Sequence, residues 1–221
     1  MKKLMKKNLG VIKNGLFTGF VIQLAIGPIF FFVINLTLQK TILDGLMGVF
    51  AATIVGYIYI ALSAFGIGKL LENKKTSKIF AAISSIVLII FGGIIIKGAL
   101  SSGVSDSVVN TSSLFSSFTS VFLLAISNPL SIVFFTSLFS TKAIEYNYTK
   151  KELYFFGLGT GLSTLIFMGG AVLIFSLLKG TIPTIVMQIL NIIVGILIIG
   201  YGTMRLVKLL KENRLARKIH P

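Results

Sequence analysis

Two prolines stand inside apolar runs. The first closes Leu24-Ala25-Ile26-Gly27-Pro28 and the second closes Leu124-Ala125-Ile126-Ser127-Asn128-Pro129. Proline in a helix interior removes one backbone donor and pushes away the carbonyl four residues back. Gly27 loosens the first break further. At the second, the Asn128 amide can satisfy freed backbone groups or face a ligand. Each break leaves N–H groups at one helix end and carbonyls at the other. N–H ends suit a carboxylate and carbonyl ends suit a cation, so a zwitterionic amino acid matches both. A single proline in a membrane helix is more often a kink. Two at corresponding places, each after Leu-Ala-Ile, favour a binding site.

The expected substrate-binding set is therefore Gln23, Gly27, Pro28, Tyr57, Ser127, Asn128 and Pro129. Gln23 lies one turn before Gly27. Tyr57 joins the set because a phenol at mid-span needs a partner or a wet cavity; Tyr59 is the competing choice on another face. Thr53, Gly56, Ser63, Ser131, Gly157, Gly159, Gly161, Ser163 and Thr164 read first as close packing, with hydroxyls bonding back to their own helix. No catalytic set is expected. The chain has no Cys, which removes disulfides and thiolate chemistry. Its single His, His220, reads as a tail residue. Without His or carboxylates inside the apolar spans, a metal site has few ligands and an enzyme has no acid–base pair. No cofactor is expected, and no Walker A motif occurs.

The elements that must hold these breaks are membrane helices. The 221 residues are 55% hydrophobic and 12% charged, with mean hydropathy +0.96. Soluble domains carry about 25% charge, so a membrane protein is expected. Six apolar spans are expected near 15–38, 45–68, 79–100, 118–140, 153–178 and 182–204, each reaching the ~20 residues needed to cross a bilayer. None contains Asp or Glu. The basic N-terminus resembles a signal peptide, but no small-x-small cleavage site ends a short apolar core. The net charge of +15 fits membrane topology better than nucleic acid. Of the 21 Lys and Arg, only Lys40, Lys97 and Lys179 fall on one side of the alternating spans. The others put both termini in the cytoplasm.

Three spans per half is an odd number, which makes the second half enter from the opposite side. The expected fold is all-α and integral to the membrane, six helices in a 3+3 inverted repeat. Its parts are a basic N-terminus (1–14), a first repeat (15–100), a Ser-rich external linker (101–117), a second repeat (118–204) and a basic tail (205–221). Thr18 to Pro28 sets against Thr119 to Pro129, and Gly92 with Lys97 sets against Gly200 with Arg205.

On these residues the chain resembles the bacterial lysine/homoserine-threonine exporters, the LysE/RhtB type. The resemblance covers nearly the whole chain. It rests on six spans, Gly27-Pro28 in the first, and Phe122-x5-Asn128-Pro129-x4-Phe134-Phe135 in the fourth. There are two departures. Family members usually carry a base straight after Asn-Pro, where this chain has Leu130. Many carry an acid after a Gly in mid-span 2, where Tyr57 follows Gly56.

The resemblance implies export of an amino acid or small derivative across a bacterial-type cytoplasmic membrane, driven by a gradient. The implied partners are a small-molecule substrate and the lipid bilayer, not nucleic acid. Gly-rich spans 5 and 6 could also pack against a second copy in a homo-oligomer. Proton coupling normally needs an ionisable residue within the membrane; Asp44 and Lys97, at span ends, are the nearest. Two other readings stay open: a six-helix substrate-capture subunit of an ATP-driven importer, and metal-ion efflux.

Overall fold

A computed structural model of the chain describes residues 2–24, 27–64, 74–100, 114–127, 130–181 and 183–219. The described residues form eight α-helices and one 3-10 turn, with no strand among them. The helices are α1 (Lys2–Gln23), α2 (Pro28–Gln39), α3 (Ile42–Ala64), α4 (Lys74–Leu100), α5 (Leu114–Ile126), α6 (Leu130–Tyr146), α7 (Lys150–Leu178) and α8 (Thr184–Ile219); the 3-10 turn is Lys179–Thr181. Three stretches are long and apolar enough to span a bilayer singly: Ile42–Ser63, Lys150–Leu178 and Gln188–Lys211. Helices α1 and α2 are apolar and long enough when taken together, bent by 82° at the break between them, as in a broken span or a re-entrant loop. The expected spans 79–100 and 118–140 fall on α4 and on α5 with α6. The apolar parts of α4 and α5, Ala81–Lys97 and Leu114–Ile126, are shorter.

Proline explains where α2 starts. Pro28 takes the first helical position, where its missing N–H costs nothing. Gly27 precedes it in extended conformation, and its carbonyl accepts from the Phe30 and Phe31 N–H groups at 3.1 and 3.4 Å. Helix α7 starts by a different device. Thr149 and Glu152 form a reciprocal capping box, and Lys7 of α1 reaches the Glu152 carboxylate at 2.7 Å. Asn147, one of the few residue types that tolerate positive φ, turns the chain between α6 and α7 at φ 49°.

Several boundaries differ from the sequence expectation. Both basic ends continue the helices they flank, α1 from Lys2 and α8 to Ile219. Residues 114–117 of the expected linker are already helical in α5; residues 101–113, including Asp106 and Asn110, lie outside the described residues, as do 65–68 of span 2 and His220. Lysines repel along a helix only weakly once the apolar span has nucleated it, which accounts for the extended ends.

Glycine lets two pairs of helices pack closely. In α1, Val11, Gly15 and Gly19 repeat every four residues and are buried. They meet α7, where a Cβ on Gly159 would collide with the Ile12 carbonyl and one on Gly15 with the Phe156 carbonyl. Gly92 of α4 and Gly195 of α8 make the second seam in the same way. Helix α3 sits between α5 and α7 and also touches α2 and α6. The main apolar cluster joins Val33 and Leu36 of α2, Val49 of α3, Val121 and Leu124 of α5, Val172 of α7 and Ile198 of α8. Large apolar side chains such as Phe17, Leu158 and Ile174 face outward, as suits helices bathed in lipid.

Candidate functional site

The first break lies between Gln23 and Pro28. Gln23 is the last residue of α1, and its Nε2 donates to Thr164 Oγ1 of α7 at 2.6 Å. That bond holds the end of α1 against α7. No side chain caps the start of α2. Phe30, one turn in, packs on Phe167 of α7 with ring centroids 6.0 Å apart. Further along α2, the Asn35 amide donates to Asn191 Oδ1 of α8. An apolar cavity of about 150 Å³ opens beside this pair, lined by Phe30, Phe31, Ile34, Phe175 and Val194.

The second break follows Ile126. Ser127 turns out of α5, with its N–H and its hydroxyl both donating to the Leu123 carbonyl at 3.1 and 2.6 Å. Asn128 and Pro129 lie outside the described residues. Pro129 has no N–H, so the Ala125 carbonyl loses its helical donor. The buried Tyr59 hydroxyl supplies one instead, 3.3 Å from the Ala125 oxygen and 2.7 Å from that of Ile126. Arg205 of α8 lies within electrostatic reach of Tyr59 and of Tyr201, and its Nη2 is shut off from solvent. A cation therefore stands near this break even though Leu130 follows Pro129.

Tyr57 sits elsewhere. Its hydroxyl donates to the Leu158 carbonyl of α7 at 3.1 Å, and its ring fills the space where a Cβ on Gly161 would lie. Tyr57 and Tyr59 are two residues apart on a helix and so face well apart. Tyr57 fastens α3 to α7, and Tyr59 fastens α3 to the end of α5. Thr53 and Ser163 bond back to their own helices, at Val49 and Thr160.

A third polar cluster closes the far end of the bundle. Asp44, buried in the first turn of α3, accepts from Ser117 of α5 and from Thr41, each at 2.6 Å. Lys179, in the turn after α7, donates to the Lys40 carbonyl at the end of α2. Among the described residues, no group of three His, Cys, Asp or Glu side chains could hold a metal ion.

Sequence reasoning placed Gln23, Gly27, Pro28 and Ser127 at the breaks, and that is where they are. It missed the Asn35–Asn191 and Asp44–Ser117 pairs. The signal for the first was polar residues inside apolar runs and for the second polar residues at span ends, and nothing in a run says which polar residue meets which.

With these helices and breaks described, a comparison to known families supplies the class. The profile of LysE type translocators matches residues 20–208. The chain belongs to the LysE type translocator family. This LysE type translocator is thus a membrane transporter, with a small-molecule substrate and lipid around it. No curated protein matches the chain, and no solved structure does.

Proposed function

We propose that this translocator exports an amino acid or a small amino-acid derivative across a bacterial-type cytoplasmic membrane, driven by a gradient. It works by alternating access around the paired helix breaks. The chain crosses six times, with α1–α2 and α5–α6 as the broken spans of a 3+3 inverted repeat and both termini in the cytoplasm.

One observation carries this reading: the two halves exchange equivalent helices. Helix α1, the first half of broken span 1, packs on α7, the unbroken second span of the other half. Helix α5, the first half of broken span 4, packs on α3, its counterpart in the first half. The closing helices α4 and α8 pack on each other. A two-fold exchange of spans 1–3 with 4–6 maps the first two of these contacts onto each other and the third onto itself. Discontinuous helices at the repeat interface are the usual place for a transporter's substrate.

In this reading the positive end of the α2 dipole, at Gly27 and Pro28, attracts the substrate carboxylate. The α5 carbonyl end, with Ser127, Asn128 and Pro129, faces the ammonium. Gln23 and Tyr57 hold α7 in register with the two breaks. Tyr59 covers the α5 carbonyls while no substrate is there, and Arg205 balances their charge.

The test is transport by the purified full chain in proteoliposomes, with a panel of labelled amino acids and an imposed pH gradient. We expect at least one amino acid to accumulate, and Pro28→Ala/Pro129→Ala to abolish accumulation. Folded protein present in both orientations that moves no amino acid overturns the proposal. A capture subunit would in that case need an ATPase partner, which co-purification would find.

A further inference from the structure

A cleft of about 240 Å³ opens between α1 and α6, which the proposed topology makes the cytoplasmic halves of the two broken spans. Asn14, Phe17, Thr18 and Val21 of α1 form one wall. Lys142 and Tyr146 of α6 form the other, above Phe156. We infer that this cleft is an entrance subsite which binds a free zwitterionic amino acid with an apolar side chain, the carboxylate on Lys142. The inference rests on the proposed export function and its topology, which put this mouth in the cytoplasm.

The chemistry of the rim suits such a ligand. Lys142 Nζ lies 2.7 Å from Glu145 Oε2 and 4.8 Å from the centroid of the Tyr146 ring. One cation and one anion thus stand side by side at the rim, and the Tyr146 ring holds the Lys142 ammonium in place. The hydrogen bond between them raises Lys142 above its ordinary value and holds Glu145 below the usual carboxylate range. Both stay charged at neutral pH. The rim is also braced: Asn14 Nδ2 donates to Tyr148 Oη at 3.0 Å, and Tyr148 stacks on Tyr146 with centroids 5.3 Å apart. A bond from α1 to the α6–α7 turn therefore fixes the width of the mouth.

Size and direction point the same way. Drug-sized ligands need pockets of roughly 300–1,000 Å³, so this cleft suits a smaller molecule. Its apolar wall continues along α1 from Phe17 and Val21 to Leu24, which are 72%, 54% and 69% exposed. Leu24 adjoins the first break. Lys142 is also the first base after Pro129 in the sequence, standing at the far end of α6 from the break.

The purified full chain decides the matter. Binding of labelled leucine is competed with unlabelled leucine or with leucinamide, which lacks the carboxylate. Leucine transport is measured in vesicles of phosphatidylcholine alone and with added phosphatidylethanolamine and phosphatidylglycerol. We expect Lys142→Gln to raise KM by about tenfold or more, with kcat held within about twofold. The preference for leucine over leucinamide should weaken, the Gly27 end still reading the carboxylate, and Lys142→Arg should restore both the KM and the preference.

Unchanged KM and unchanged preference in Lys142→Gln overturn the subsite and leave the export proposal standing. An effect confined to the mixed-lipid vesicles means a lipid headgroup fills the cleft, and also overturns the subsite. Binding to wild type that depends on Lys142, without any transport, upholds the subsite and removes the export proposal. A wild-type chain that neither binds nor moves leucine, while moving another amino acid, overturns the apolar preference; if it moves none, both proposals fall.

Discussion

Tyr59 Oη lies 2.7 Å from the Ile126 carbonyl oxygen and 3.3 Å from that of Ala125. One phenol thus covers the two carbonyls that end α5, just ahead of Pro129. Phenylalanine at 59 keeps the ring and removes that donor from both oxygens, of which the one on buried Ala125 loses most. A buried acceptor without a partner costs about 1–3 kcal/mol. Tyr59→Phe should lower the thermal unfolding midpoint in detergent and slow transport. Tyr57→Phe should cost less, about 0.5–1.5 kcal/mol, because the Leu158 carbonyl keeps its own helical donor. Equal losses in the two variants would remove the special place of Tyr59.

Gly27 and Gly159 make opposite predictions. Gly27 is extended, at φ −122°, with nothing within 4 Å of an added Cβ. Gly27→Ala should leave stability within about 0.5 kcal/mol; any loss of transport then reports on the break itself. At Gly159 an added side chain meets the α1 backbone. Gly159→Val should cost about 1–3 kcal/mol or more through overpacking, and α1 should separate from α7. Thermal unfolding of both variants checks the contrast.

Asp44 ties α3 to α5 through Ser117, and so ties one half of the chain to the other. It lies close to the spans whose interiors carry no acid of their own. Asp44→Asn should abolish gradient-driven accumulation while substrate exchange without a gradient continues. Ser117→Ala, which leaves the carboxylate in place, should keep accumulation. Wild-type accumulation in Asp44→Asn would take Asp44 out of coupling.

Much of the fold is legible in the sequence, and the reason is physical. Lipid satisfies no backbone group, so apolar length alone dictates helices. Proline, which cannot donate, dictates where Pro28 starts α2. Pairings between helices are not legible. Asn35 and Asn191 are 156 positions apart, and nothing local links them. Tyr57 and Tyr59 are nearly alike in sequence context, and only the rotation of α3 decides which one reaches the break. The helix ends are poorly marked too, because a run of charge looks like a boundary. Lysine is a good helix former, and α1 and α8 run on through it.

The Asn35–Asn191 pair joins α2 to α8. Asn191 is buried and Asn35 half-buried, so each amide depends on the other for a partner. Asn35→Leu alone strands the Asn191 amide and should cost about 1–3 kcal/mol. Asn191→Leu alone should cost a similar amount. The double variant removes both polar groups together and should recover most of that loss, because two apolar side chains of similar size strand nothing. A double-mutant cycle on thermal unfolding measures the coupling, expected between about 0.5 and 3 kcal/mol. Simple additivity of the two single losses would mean that the amides do not depend on each other. Transport by the double variant carries a further consequence. If α2 must part from α8 during the cycle, an apolar pair should change the rate and leave substrate affinity alone.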